Sequence, residues 1–206
     1  MTRRAEPVAN SEITRWNKKY RSGAAGGFEM VAPKCEPELV AHLYLLGNTG
    51  LALEAACGRG AHALYLATLG YDVIACDGAI RGLEVCKRSA ALHGLNVLPF
   101  VADLSKPNLP PEAFDLVSVV RYLEYAAFEA LAASVKPGGL LFYKTFNTRY
   151  LTVNPRFRRS FVVEPGELNE SFPGLDVLAS DLDVDSPGAD SSSFIIARKP
   201  VAKRSN

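Results

Sequence analysis

The amino-acid sequence predicts an α/β fold: a mostly parallel seven-stranded sheet with helices on both faces and an antiparallel pair at its C-terminal end. Three observations lead there. From residue 51 to 146, short apolar and β-branched runs alternate with stretches of helical periodicity, the pattern of a parallel sheet with crossover helices. After residue 170 two further runs flank SPGAD (186–190), the spacing of a hairpin. The chain is 48% hydrophobic and 22% charged, which suits a globular domain with a full core.

The elements follow in order. Ser11 to Tyr20 reads as a short helix with Ser11 as its cap, and RSGAAGG (21–27) as a flexible joint. Glu36 to Leu46 reads as a helix with Leu39, Val40, His42, Leu43 and Leu46 on one side. Leu51 to Ala56 is a strand, and Ala61 to Leu69 is a helix stopped by Gly70. Tyr71 to Cys76 is a strand. Ala79 to His93 is a helix, with Ile80, Leu83, Cys86 and Ala90 at helical spacing. Asn96 to Ala102 and Phe114 to Val120 are strands. Ala126 to Val135 is a helix ended by KPGG (136–139), and Leu140 to Phe146 is a strand. Residues 147–162 read as a long loop, 164–172 as a short helix, and Leu175 to Val184 and Ser193 to Arg198 as the closing strands.

Composition excludes several classes. Net charge is +1, so no global field draws the chain to nucleic acid or to a membrane surface. No apolar run reaches the ~18 residues of a membrane span. The N-terminus, MTRRAEPVANSEITR, lacks the apolar core of a secretory signal. Cys35, Cys57, Cys76 and Cys86 form no CxxC pair, and none has a histidine close in sequence. No metal site is expected, and the cysteines read as buried free thiols in a cytoplasmic protein. A monomer or homodimer acting on a small molecule is the expectation.

The chemistry concentrates at the strand ends. LEAACGRG (53–60) puts Glu54, Cys57, Gly58 and Gly60 between a strand and a helix. Ligands of such sheets bind outside the carboxyl ends of the strands. Gly58 and Gly60 leave the backbone open to a close approach, and the next helix start offers free N–H groups. A carboxylate at Glu54 works against a pyrophosphate but suits the ammonium of S-adenosylmethionine. Asp77, followed by Gly78, ends the next strand and can accept from ribose hydroxyls, or cap the helix that follows. Ala102-Asp103-Leu104 ends the third strand, where an acid can accept from adenine or hold the turn before Ser105. The fourth strand leaves Arg121, Tyr122 and Glu124 at the mouth of the sheet. His42, His62 and His93 read as structural residues.

These four elements, in this order, resemble the class I S-adenosylmethionine-dependent methyltransferases, whose sheet is Rossmann-like. LEAACGRG is similar to that family's glycine-rich loop, with Glu54 in the place of its usual aspartate and Ala56 in that of its first glycine. KPGGLLFYKTF (136–146) is similar to its fifth-strand entry. WNKKY (16–20), FEMVAPK (28–34), EPGEL (164–168), FPGLDVL (172–178) and ARKP (197–200) resemble the tellurite-resistance (TehB-like) branch. The resemblance implies a cofactor-covering segment over residues 1–30 that carries Trp16 and Tyr20, a methyltransferase domain over 31–200, and a disordered tail over 201–206. It implies S-adenosylmethionine as cofactor, S-adenosylhomocysteine as product, and an acceptor that is a small thiol or a chalcogen oxyanion such as tellurite or selenite. The cofactor set is then Trp16, Tyr20, Glu54, Cys57, Gly58, Gly60, Asp77, Gly78, Ala102, Asp103, Leu104 and Arg121. The catalytic set is Arg121, Tyr122 and Glu124.

The acceptor side is expected from Tyr20, Arg121, Tyr122, Lys144, Asn147 and the loop that carries Arg149, Arg156, Arg158 and Arg159. Two rivals stand beside this reading. GRGAHA approximates GxGxxA, so an NAD(P)-dependent oxidoreductase is one. A non-catalytic cofactor-binding module is the other.

Overall fold

The computed structural model describes residues 8–47, 49–182 and 191–201. Seven strands form one sheet: β1 (Gly50–Ala55), β2 (Tyr71–Asp77), β3 (Val97–Val101), β4 (Phe114–Val120), β5 (Val135–Phe146), β6 (Asp176–Ser180) and β7 (Ser192–Arg198). Their order is β3-β2-β1-β4-β5-β7-β6. β1 to β5 run parallel, and β7 lies antiparallel between β5 and β6. The expected sheet and its antiparallel end are therefore both present. The SPGAD turn, the end of the expected strand up to Val184 and most of the C-terminal tail lie outside the described residues.

Alternation along each strand builds two cores. Leu53, Ala55, Val117, Val119, Leu141 and Tyr143 face one side. They pack there under α5 (Phe128–Ser134) and α7 (Glu167–Ser171), which supply Phe128, Leu131 and Leu168. Ala52, Val73, Ala75, Leu116, Leu140 and Phe142 face the other. α3 (Ala61–Thr68), α4 (Ile80–His93) and α2 (Pro37–Ala41) cover that side with Ala63, Leu66, Cys86 and Leu39. Both faces of the central strands are thus covered, while β3 and β6 at the edges are partly exposed, and ligand access is left to the strand ends.

Four expectations are corrected. α1 (Val8–Arg21) already covers Ser11, so Ser11 lies within the helix and is not its cap. The helix expected over 36–46 stops at Ala41 and continues as a 3₁₀ turn, Leu43–Leu45. The His42 ring bonds to the Glu38 carbonyl at 2.7 Å, the acceptor its own amide would use in an α-helix, and that amide turns to Leu39 instead. KPGG lies inside β5, beside a register shift between Phe114 and Leu116. Pro137, which has no N–H, fits such an irregularity. The long loop carries α6 (Tyr150–Val153) and a 3₁₀ turn, Arg159–Phe161. Phe146, Tyr150 and Phe157 hold it together, with ring centroids 4.2 to 5.3 Å apart.

The glycine loop also has a second rationale beside the one expected. Gly60 adopts φ +85° and starts α3. A Cβ there would lie 2.8 Å from the Cys86 Cβ on α4, and one at Gly58 would lie 2.8 Å from the Tyr20 hydroxyl on α1. These glycines allow helices to close on the loop, in addition to leaving room for a ligand. Ala56 holds φ +56° without being glycine, a conformation that costs an L-residue about 1–2 kcal/mol.

Gly60→Ala is expected to lose about 2–4 kcal/mol in urea unfolding, from left-handed strain and overpacking together. Ala56→Gly is expected to shift stability by less than about 1 kcal/mol, because relief of strain is offset by a freer unfolded chain.

Candidate functional site

The carboxyl ends of β1 to β5 open into one cavity of about 860 Å³. That is large enough for a nucleotide-sized ligand with a second molecule beside it. Its floor is the turn after β1: Glu54, Cys57, Gly58 and Gly60 line it, with His62 from α3. Asp77 and Gly78 line it after β2, Ala102, Asp103 and Leu104 after β3, and Arg121, Tyr122 and Glu124 after β4. Trp16 and Tyr20 come down from α1. Every residue expected on the cofactor and catalytic side therefore faces this one space.

Glu54 is only 2% exposed, at the end of β1 on the face covered by α3. A carboxylate so placed needs a partner. It has His62, whose Nδ1 is 2.8 Å from Glu54 Oε2. The Ser118 hydroxyl lies 3.2 Å from the same nitrogen. Sheet register explains that contact, since Glu54 and Ser118 are direct partners across β1 and β4. The ring stacks on Phe142, and its Nε2 lies 3.1 Å from Cys35 Sγ. Burial alone would lower the imidazole pKa; the charge of Glu54 and the hydrogen bonds with Cys35 and Glu54 more than reverse this and hold it at about 10. The site floor therefore carries a carboxylate–imidazolium pair, where the sequence suggested an isolated carboxylate.

Asp77 braces the loop. Its Oδ2 accepts from the Gly58 amide at 2.8 Å and its Oδ1 from the Ala79 amide at 2.7 Å. Burial raises its pKa, while those two amides act the other way. The helix-capping role and the cavity-facing role thus coexist. Asp103 shows the same duality: Oδ1 takes the amide and hydroxyl of Ser105, and the residue still lines the cavity. α3 begins without a side-chain cap, so its leading N–H groups lack an intrahelical acceptor.

α1 forms the roof. Asn17 Oδ1 accepts from the Arg81 amide in the first turn of α4, and Ile13 packs over Gly78. Glu12 pairs with Arg158 at 2.7 Å, which ties α1 to the segment after α6. Lys19 sits 4.3 Å from the Trp16 ring centroid, and Arg15 and Arg158 both lie over Phe161. Burial and the neighbouring Arg15 lower the Lys19 pKa. Burial, with Asp77 nearby, raises that of the Tyr20 phenol. The roof and far wall are aromatic and basic, with Tyr150, Phe157 and Arg156 added.

Several expected acceptor residues are elsewhere. Lys144 is buried and bonded to Glu36 at 3.0 Å and Glu38 at 2.7 Å. Burial pulls its pKa down, but the two carboxylates outweigh this and raise it. Asn147 is buried under β7, where it donates to Ser193. Arg159 pairs with Glu164, and neither it nor Arg149 lines the cavity. Arg121 holds φ +58°, is exposed, and lies 3.2 Å from Glu36. Glu124 lines the mouth and caps a short 3₁₀ turn through the Ala126 amide. Cysteine behaviour departs from expectation as well, since Cys35 and Cys57 are only partly buried. Among the described residues, no group of three or more His, Cys, Asp or Glu is placed to hold a metal. No helix among them is long and apolar enough to cross a membrane. The contact of Cys35 with His62 had no sequence signal, because 27 positions separate them.

Residues 52–139 match a family described as a methyltransferase domain. A curated relative, the ubiquinone biosynthesis O-methyltransferase of Methylocella silvestris, is 37% identical over 100 residues, 46% of this chain and 39% of that protein. The alignment thus spans about two fifths of the length of such relatives. TehB from Haemophilus influenzae is similar in structure at TM-score 0.67 and 17% identity, over 89% of this chain and 67% of that one. The [4+2]-cyclase SpnF is similar at TM-score 0.69 and 18% identity, over 94% and 95%. The fold is that of Rossmann-like methyltransferases, and it also carries other chemistry.

The His62 proton gives a signed prediction. A pKa raised to about 10 contributes stability that is complete below the unfolded value of ~6.5 and is lost as pH rises towards 10. In that window the native chain is expected to lose up to about 1.4 kcal/mol per pH unit relative to His62→Gln. Urea denaturation at several pH values reads the difference, and parallel curves would remove the imidazolium from the site.

Proposed function

We propose that this chain is an S-adenosylmethionine-dependent methyltransferase with a small, anionic acceptor. One observation carries most of the reading. A single cavity joins the Glu54 turn, the uncapped start of α3 and the acid that ends β2. The cofactor's ammonium, carboxylate and ribose diol ask for those three features in that order. Glu54 spends Oε2 on His62, which leaves Oε1 for the ammonium, directly or through water. The start of α3 suits the carboxylate. Each oxygen of Asp77 accepts one amide and keeps acceptor capacity for a ribose hydroxyl. Asp103 serves the adenine amino group, with Gly78, Ala102 and Leu104 as walls. Cys57, Gly58 and Gly60 form the turn beneath, and Arg121 flanks it. Residues 1–30 act as a cover through Trp16 and Tyr20, over a methyltransferase domain of residues 31–200.

The cofactor brings a methyl group already activated on a sulfonium. What remains for the chain is to align the acceptor and keep water out. α1 and the segment after α6 close over the cavity for that purpose. Arg15, Lys19, Arg156 and Arg158 surround an aromatic wall, which suits an acceptor with an apolar body and a negative group. The relatives' name favours a hydroxyl acceptor, and Glu124 stands where it could take its proton, beside Arg121 and Tyr122. Thiols, selenite and tellurite are the second set of acceptors, by likeness to the TehB-like branch.

An NAD(P)-dependent oxidoreductase fits less well. The His62 imidazolium softens the repulsion that Glu54 would impose on a pyrophosphate, so that single argument weakens. The match to a methyltransferase domain and the antiparallel β7 still count against it.

Titration calorimetry with S-adenosylmethionine, S-adenosylhomocysteine and NADH tests the cofactor. Micromolar binding of the adenosyl ligands is expected, weakened at least about tenfold, or 1.4 kcal/mol, in Glu54→Ala and Asp77→Ala. Binding of NADH alone would overturn the reading. For the acceptor side, Arg158→Glu is expected to lower kcat/KM by about tenfold. Arg159→Glu, turned away towards Glu164, is expected to leave it unchanged. Equal effects would refute a basic roof that contacts the acceptor.

A further inference from the structure

We propose that the space beside the cofactor site takes a planar aromatic carboxylate, with its ring against Phe146, Tyr150 and Phe157 and its acid group on Arg156. Calling that ligand the methyl acceptor rests on the proposed function; its binding does not.

The wall takes its shape from the segment after α6. Pro155 follows the helix cap Asn154, where a proline ends a helix. The Phe157 amide then donates to the Asn154 carbonyl at 2.9 Å. That turn brings the Phe157 ring edge-on to Phe146 and Tyr150, at interplanar angles of 70° and 87°. Phe146 and Tyr150 are themselves stacked, at 21°. All three rings line the cavity and none is fully buried. A further flat ring extends this set, and aromatic pairs gain more than their buried area alone supplies.

Charge beside the wall is arranged to match. Glu12 pairs with both Arg15 and Arg158 at 2.7 Å. Arg156 also lines the cavity, next to Phe157 in the chain, and forms no ion pair with a carboxylate among the described residues. It is the cation there that an incoming anion can take without displacing an acid.

These two features together select the ligand class. Aromatic faces are the negative side of the ring quadrupole and repel an anion set over them. An anion beside this wall is therefore best carried on the edge of a ring, in the ring plane. A carboxylate conjugated to an aromatic ring is held there, and the planar fork of a guanidinium matches its two oxygens. A saturated acid gives up the ring contacts. A neutral phenol gives up the charge. Selenite and tellurite have no apolar body and would leave the wall in water.

The probe is meta-hydroxybenzoate, compared with its ring-hydrogenated counterpart, with meta-cresol and with selenite. Titration calorimetry of the full chain reads affinity, with and without S-adenosylhomocysteine. Fluorescence reads place, because Trp16 is the only tryptophan and lines the same cavity. The hydroxybenzoate is expected to bind at least about tenfold more tightly than each of the other three and to shift the Trp16 emission. Equal binding of any of the three, no binding, or binding without a change in that emission would overturn the proposal. Arg156→Gln, at an exposed position, is expected to erase the preference over meta-cresol. Phe157→Leu is expected to erase the preference over the saturated acid. A preference kept in its variant would equally overturn the proposal. If Phe157→Leu does not fold, the native panel and Arg156→Gln still decide. The cofactor reading fails on a different result: the aromatic acid binds and S-adenosylhomocysteine does not. The reverse removes this subsite and leaves that reading standing.

Discussion

The structure depends on one awkward placement, a carboxylate on the inward face of β1. Glu54 shares its side of the sheet with Ala52, Leu116 and Phe142, an apolar surface covered by α3. An unpaired charge there would cost several kcal/mol. His62 supplies the counter-charge from the first turn of α3, and the turn between the two residues must bring the helix back over its own strand. That explains the left-handed residues at Ala56, Gly58 and Gly60. It also explains a serine at position 118 amid the apolar residues 116–120 of β4, because register sets Ser118 beside Glu54. The loop, the helix start and a polar position on the neighbouring strand answer to the same buried acid.

The parallel sheet was legible for a physical reason. Strands buried on both faces read as continuous β-branched and apolar runs, and glycine stops the helices between them. The strand-end acids were legible too, since topology places any residue just past a parallel strand at the mouth. What escaped was anything set by tertiary contact between distant segments. Lys144 looked like a cavity residue because it lies near the end of β5, yet Glu36 and Glu38 from another segment capture it. The aromatic order inside 147–162 escaped because Phe146, Tyr150, Phe157 and Phe161 stand at helical spacing in a segment that Pro155 interrupts, so no continuous helix is there to express it. The glycines were recognised, but their contact with α1 and α4 could not be read from the loop alone.

The roof is held differently from the floor. The floor rests on strand pairing and on a buried ion pair. α1 rests on the side chain of Asn17 over α4, on Ile13 over Gly78, and on the partly exposed pair of Glu12 with Arg158. Exposed pairs of that kind contribute at most about 1 kcal/mol and weaken with salt. The elements of the roof are therefore joined by weaker contacts than those of the floor.

This division also sorts charge. Acids (Glu54, Asp77 and Asp103) lie at the strand ends, and bases (Arg15, Lys19, Arg156 and Arg158) lie in the roof and the wall beyond α6. The cofactor proposed above, with its ammonium, diol and amino group, would find acceptors below. The anionic acceptor proposed above would find donors in the roof. Exchanging the two sites would set like charges together in a partly desolvated space, where repulsion is stronger than in water. The separation is not complete, since Glu12 lies in the roof and Arg59 and His62 lie at the floor.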